Sequence, residues 1–183
     1  MAGSIKLFIG PMFASKTGSM LNEVERFRLA AKACVIVKFS ADTRYDELAT
    51  RGGIVTHAGH EYTRVPTVST TLLADIEQTL RMYDVIGVDE VQFYADNVEV
   101  LQRLACEGKI IIASGLDANW QGKPFARMGE LIPLADKVHK LRAVCMQCCA
   151  DASFTKRISG GDTEVEIGGA DKYIAACRAC MFG

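Results

Sequence analysis

The stretch IKLFIGPMFASKT, Ile5 to Thr17, decides the fold. Ile5 to Ile9 is a short, largely apolar run without turn residues, closed by Gly10 and Pro11, and it reads as a buried strand. From Thr17 to Ala31, Met20, Leu21, Val24 and Phe27 recur at helical spacing, with Glu23, Glu25, Arg26 and Arg28 on the other side. GPMFASKT (Gly10 to Thr17) therefore joins a strand to the start of a helix, the setting in which the G-x-x-x-x-G-K-[ST] loop holds phosphate. That chemistry needs backbone N–H groups wrapped round an anion at a positive helix end, an ammonium for the β and γ oxygens, and a hydroxyl for Mg²⁺. Gly10 supplies the turn, Lys16 the charge and Thr17 the hydroxyl, which makes ATP the expected ligand. Ser15 stands where the motif has its second glycine. If that position requires a positive φ, the Cβ costs on the order of 1 kcal/mol. The plain alternative is an ordinary strand-to-helix turn with a solvated lysine.

Outward from this loop, CVIVKF (Cys34 to Phe39) reads as a second strand, and the pattern then disappears between Ser40 and His60, predicting a long mobile loop. Thr70 to Tyr83 has helical periodicity. Val85 to Val88 is a buried strand that ends on Asp89 and Glu90; Val98 to Ala105 reads as a helix and Lys109 to Ala113 as a strand. This alternation is that of a parallel α/β sheet. It stops near Leu116, after which a short helix over Met128 to Ala135 and strands near Ser153 to Arg157 and Glu164 to Ile167 are predicted. No internal repeat or low-complexity tract is present.

Ligands of open α/β sheets sit beyond the carboxyl ends of the strands, which sets Asp89 and Glu90 opposite the phosphate loop. One carboxylate can belong to the Mg²⁺ shell while the other accepts a proton from an attacking hydroxyl. The plain alternative is a solvated acidic turn. By themselves the two motifs fit a motor ATPase nearly as well as a kinase.

Cys145 and Cys148, then Cys177 and Cys180, form two C-x-x-C knuckles about 28 residues apart, a set that can hold Zn²⁺ tetrahedrally. A closed Cys₄ shell has no position for water, so the metal is read as structural. The separation exceeds that of a minimal ribbon, so the intervening chain loops out from the staple. Cys34, Cys106 and Cys149 read as buried thiols; His57, His60 and His139 read as structural or solvated.

The bulk numbers narrow the function classes. With 183 residues, 49% hydrophobic and 23% charged, the chain can bury a sizeable core as one unit or one unit plus an appendage. Twenty-one Lys and Arg against 22 Asp and Glu give a net charge of -1, without an overall basic field to hold a nucleic acid. No apolar run approaches the ~20 residues that span a bilayer, and no secretory leader is seen. Paired cysteines in a reducing compartment make the cytoplasm the expected address.

The combination of the GPMFxxKT loop, DTRY (Asp42 to Tyr45), GVDEVQF (Gly87 to Phe93), KPF (Lys123 to Phe125), the two C-x-x-C pairs and GGADKY (Gly168 to Tyr173) resembles thymidine kinase of the cellular and poxviral type, over nearly the whole chain. The resemblance implies a RecA-like parallel α/β domain over residues 1–142 and a small zinc-bearing lasso domain over 143–183, assembled as a homo-oligomer, a tetramer or dimer. It implies transfer of the γ-phosphate of ATP to the 5′-hydroxyl of deoxythymidine, with Mg²⁺ and structural Zn²⁺ as cofactors and dTTP as feedback inhibitor.

Residue by residue, the resemblance makes Glu90 the general base, Lys16 the phosphate cation and Arg44 a stabiliser of the transferred group. ATP and Mg²⁺ would meet Gly10, Pro11, Met12, Phe13, Ala14, Ser15, Lys16, Thr17, Asp42, Asp89 and Gln92. Met12, Phe93, Leu116, Trp120, Phe125 and Tyr173 match positions lining the thymine pocket; Thr155 matches the side chain that reaches a thymine carbonyl. Val165, Glu166, Ile167 and Gly168 fall in the lasso segment whose main chain reads the base. A loop that reads a base through its backbone must be anchored, and the cysteine staple is the anchor.

This sequence departs from the family pattern at Ser15, at Gly18 and Ser19 in place of a Thr-Glu pair, at Val91 in place of glycine, and at Ala118, Asn119 and Trp120 in place of Gly-Thr-Phe. The loop between the knuckles is one residue shorter near Ile167. These departures motivate a second reading, a catalytically weakened paralogue serving as structural or regulatory partner. A zinc-containing ATPase stimulated by nucleic acid is a third, disfavoured by the neutral charge.

Overall fold

The computed structural model describes residues 2–40, 54–55, 61–161 and 168–183. In chain order the strands are β1 (Ser4–Ile9), β2 (Cys34–Phe39), β3 (Ile54–Val55), β4 (Glu61–Tyr62), β5 (Thr67–Thr70), β6 (Val85–Val88), β7 (Ile110–Gly115), β8 (Lys137–Lys140), β9 (Ala143–Val144), β10 (Asp151–Ala152), β11 (Phe154–Arg157) and β12 (Tyr173–Ala176). The α-helices are α1 (Lys16–Leu29), α2 (Glu77–Leu80), α3 (Asn97–Cys106), α4 (Met128–Leu131) and α5 (Arg178–Phe182). A six-stranded sheet runs in the order β5-β2-β6-β7-β1-β8, and every neighbouring pair is parallel.

Apolar side chains on both faces of the central strands hold this sheet between two layers. Ile5, Leu7, Ile9, Val35, Val37, Ile86, Val88, Ile111 and Ala113 share one core with Val98, Leu101 and Leu104 of α3. On the other face Phe8, Ile36, Val85 and Ile112 pack against Met20, Leu21 and Val24 of α1. Side chains alternate along a strand. Since Val88 and Ala113 face α3, the next residues, Asp89 and Ser114, turn towards α1 and the phosphate loop.

The four strands expected in the sheet are present, and two further strands lie at its edges. The β5 run TVST is half exposed and the β8 run KVHK is mostly exposed. Edge strands carrying hydroxyls and lysines lack the apolar signature of buried ones, which hid them in the sequence. The helix expected over Thr70 to Tyr83 is replaced by the end of β5, a 3₁₀ turn at Leu73–Ile76 and the single turn α2. The Asp96 carboxylate fixes the start of that turn, accepting from the Leu73 and Ala74 amides at 3.2 and 2.7 Å. The helix expected over Met128 to Ala135 is α4 followed by a 3₁₀ turn at Ile132–Leu134, which carries a proline in its first positions.

The C-terminal segment consists of two small antiparallel pairs, β9 with β10 and β11 with β12, followed by α5. The strand expected near Ser153 to Arg157 is β11; the one expected at Glu164 to Ile167 lies outside the described residues, as do most of the Ser40–His60 loop, His57 and His60. Among the described residues no helix is long and apolar enough to cross a membrane.

Candidate active site

The phosphate loop leaves β1 at Gly10 and enters α1 at Lys16. Gly10 has φ 140°, and a Cβ built there would stand 2.5 Å from the Leu141 carbonyl oxygen. Ser15 is left-handed, φ 56° and ψ 33°, so the missing glycine of the motif leaves a side chain in the conformation that penalises one. Its carbonyl accepts from both the amide and the hydroxyl of Ser19, each at 3.0 Å. The first turn of α1 has no acidic residue, and Arg26 and Arg28 sit in its last turn. The positive end of the helix is therefore not neutralised by its own side chains. Lys16 Nζ donates to the Pro11 carbonyl at 2.7 Å, folding the ammonium back over the loop. Phe13 is also left-handed, while Met12 and Ala14 are buried.

Across the loop, Asp89 Oδ1 accepts from Thr17 Oγ1 at 3.0 Å and from Ser114 Oγ at 2.5 Å. Ser114 Oγ also lies 3.4 Å from Met20 Sδ. Burial, and next the charge of Glu90, raise the Asp89 carboxyl to about 6. A carboxylate costly to ionise alone suits a cation site. Glu90 is left-handed, φ 50° and ψ 45°, which turns the chain sharply at the strand end. Gln92 is buried; its Nε2 donates to Glu90 Oε2 at 2.6 Å and its Oε1 accepts from the Leu116 amide at 3.1 Å. The amide of Gln92, expected to meet ATP and Mg²⁺, is thus directed to Glu90 and to the residue after β7.

The residues expected round the base fall into three groups of contacts. Phe93 and Phe125 meet edge to face with centroids 5.7 Å apart, and Phe93 also packs on Phe39 at 5.3 Å. Leu116 joins the same core. Thr155, buried on β11, accepts from the Met12 amide at 3.0 Å, bridging the C-terminal segment to the phosphate loop. Trp120 lies under the Arg157 guanidinium, which also covers the Tyr173 ring. Gly168 is half-buried at the edge of the described residues. Asp42, Arg44, Val165, Glu166 and Ile167 lie outside them.

Sequence reasoning missed Ser114 and Arg157. Ser114 had a signal: a hydroxyl one residue past the apolar run of a central strand, with the parity of Asp89. Arg157 had none, because its partners Trp120 and Tyr173 come from separate segments.

The ligand atoms of Cys145, Cys148, Cys177 and Cys180 all lie within 4.8 Å of one another, and Cys148 Sγ is 3.5 Å from Cys177 Sγ. Zn–S bonds of ~2.3 Å put tetrahedral sulfurs about 3.8 Å apart, so the cluster fits Zn²⁺. Backbone N–H groups of Cys177 and Gln147 lower the Cys145 thiol to about 6, whereas hydrogen bonds with Cys148 and Cys177 push Cys180 up to about 12. Four thiolates this close need a cation. Of the thiols read as buried, Cys34 is buried; Cys106 and Cys149 are exposed, and Cys149 takes a left-handed turn in the knuckle, φ 61°. His139 stacks on Phe8, centroids 4.9 Å apart.

A family model described as thymidine kinase matches residues 3–181. The chain is 45% identical over 181 residues to the thymidine kinase of Myxoma virus (strain Lausanne), covering 98% of this chain and 97% of that one. It is 41% identical to thymidine kinase 1 of Dictyostelium discoideum, covering 98% and 78%, and 43% identical to the thymidine kinase of Vaccinia virus (strain Western Reserve), covering 97% and 96%. Among solved structures, the flagellar accessory protein FlaH from Methanocaldococcus jannaschii superposes with a TM-score of 0.51 at 13% identity, over 88% of this chain and 75% of that one, a likeness of fold alone. A phosphate loop facing a carboxylate pair, a four-cysteine staple and identity above 40% along nearly the whole chain agree: the chain belongs to the thymidine kinase family.

Proposed function

We propose that this kinase transfers the γ-phosphate of ATP to the 5′-hydroxyl of deoxythymidine. The observation that best supports this reading is the pairing of Thr17 with Asp89 next to an adjacent, differently held Glu90. Two carboxylates in unlike settings suit unlike tasks. Thr17 and Asp89 would hold Mg²⁺, which when bound neutralises charge on the phosphate oxygens. Lys16 would swing from the Pro11 carbonyl to the phosphates, and the loop amides from Phe13 to Thr17 would cradle them. Glu90, steadied by Gln92, takes the proton from the attacking hydroxyl. Gln92 then serves ATP and Mg²⁺ only indirectly. Asp42 and Arg44 would approach the transferred group.

Met12, Phe93, Leu116, Trp120, Phe125 and Tyr173 would enclose the base. Thr155, accepting from the Met12 amide, keeps its own hydroxyl proton for a thymine carbonyl. Val165, Glu166, Ile167 and Gly168 would read the base through the main chain. Residues 1–142 would form the ATP-binding domain and 143–183 the lasso, anchored by zinc. Homo-oligomer assembly, inhibition by dTTP and a cytoplasmic address complete the proposal.

Purified protein with Mg·ATP and a panel of nucleosides tests it. Labelled phosphate should appear on deoxythymidine, with deoxyuridine the comparison of interest. Hydrolysis of ATP stimulated by DNA, with no nucleoside phosphorylated, would overturn the reading.

A further inference from the structure

Arg157 ends β11 and reaches across to the turn that carries Trp120. Asn119 Oδ1 builds that turn, accepting from the Gln121 and Lys123 amides at 3.0 Å each. The Arg157 guanidinium carbon stands 4.7 Å from the Trp120 ring centroid and 5.3 Å from that of Tyr173. Its Nη2 donates to Tyr173 Oη at 2.8 Å and its Nη1 to the Gly161 carbonyl at 2.5 Å. Arg157 also pairs in register with Tyr173 across β11 and β12. One planar cation therefore touches two aromatic rings from separate segments and a backbone carbonyl at the edge of the lasso.

We propose that Arg157 is a positioning residue for the nucleoside, fixing the separation of Trp120 and Tyr173 and with it the width of the base pocket. This rests on the reading that those two rings line that pocket. Arginine suits the role because its flat guanidinium stacks on ring faces while its edge donates several hydrogen bonds at fixed angles. A lysine ammonium, a point charge on a flexible stem, does not do both.

The chain has a single tryptophan, so its fluorescence reports on the surroundings of Trp120. Arg157→Met and Arg157→Lys should be compared with the parent at equal zinc content. In the methionine variant the KM for deoxythymidine should rise about tenfold while the KM for ATP stays within about twofold, and acrylamide quenching of Trp120 should strengthen. The lysine variant, which keeps charge and stem and serves if the methionine variant fails to fold, should show a smaller rise of the same kind. An unchanged deoxythymidine KM, or nucleoside and ATP constants rising together, would overturn the proposal. A parent inactive on deoxythymidine would overturn the functional reading and this inference with it. An active parent with an indifferent Arg157 overturns this inference alone.

Discussion

Thr17 Oγ1 and Asp89 Oδ1, 72 positions apart in the chain, are hydrogen-bonded at 3.0 Å, which binds the start of α1 to the end of β6. In the proposed Mg²⁺ site this same hydroxyl and carboxylate would hold the metal. Without ligand, the price is a buried carboxyl raised from 3.8 to about 6.

A raised carboxyl pKa means the folded protein holds that proton more tightly than the unfolded chain. The stabilisation is therefore full below about 3.8 and is lost as pH rises through about 6. Asp89→Asn, nearly isosteric and uncharged, should be more stable than the parent at pH 8 without nucleotide, by at most about 3 kcal/mol and so with a higher Tm, and should nearly match it at pH 4. It should also lose Mg·ATP binding. Thermal unfolding at both pH values checks the first effect, and equal melting at pH 8 would contradict the burial argument.

Glu90→Gln removes the proton acceptor but keeps a partner for Gln92. Turnover should fall at least ~100-fold while both substrates still bind. Steady-state kinetics with separate binding titrations decide it; full turnover would remove Glu90 from the role of base.

Two substitutions test the departures in the phosphate loop. Ser15→Gly relieves a left-handed side chain and should stabilise the protein by up to about 1 kcal/mol, with tighter ATP binding. A Cβ at Gly18 meets nothing within 4 Å, so Gly18→Ala should add about 0.5–1 kcal/mol. Denaturant midpoints read both.

Cys177→Ser should abolish stoichiometric zinc and raise the deoxythymidine KM more than that of ATP, since Thr155 and Tyr173 lie on the stapled strands while Lys16 does not. Metal analysis and kinetics together check this; normal zinc content in the variant would exclude Cys177 as a ligand.

The central strands were legible because buried parallel strands carry nearly unbroken apolar runs, as in Val85 to Val88. Thr67 to Thr70 and Lys137 to Lys140 were not, because an edge strand is held by backbone pairing that leaves little mark on composition. The same contrast divides the site. Lys16, Thr17, Asp89 and the four cysteines stand in local motifs whose spacing carries their chemistry. Ser114, Gln92 and Arg157 take their roles from partners that only the folded chain supplies.

Gly10 has so far been the turn that opens a phosphate cradle, yet the atom it lacks would collide with the Leu141 carbonyl, whose residue also donates its amide to Ile9 at 2.8 Å. The space that a side chain at position 10 would need is already held by the chain leaving β8 for the zinc knuckles. Inactivity of a side-chain-bearing variant at position 10 would therefore be no proof of a lost phosphate contact, because the substitution would first prise apart the seam between β1 and β8.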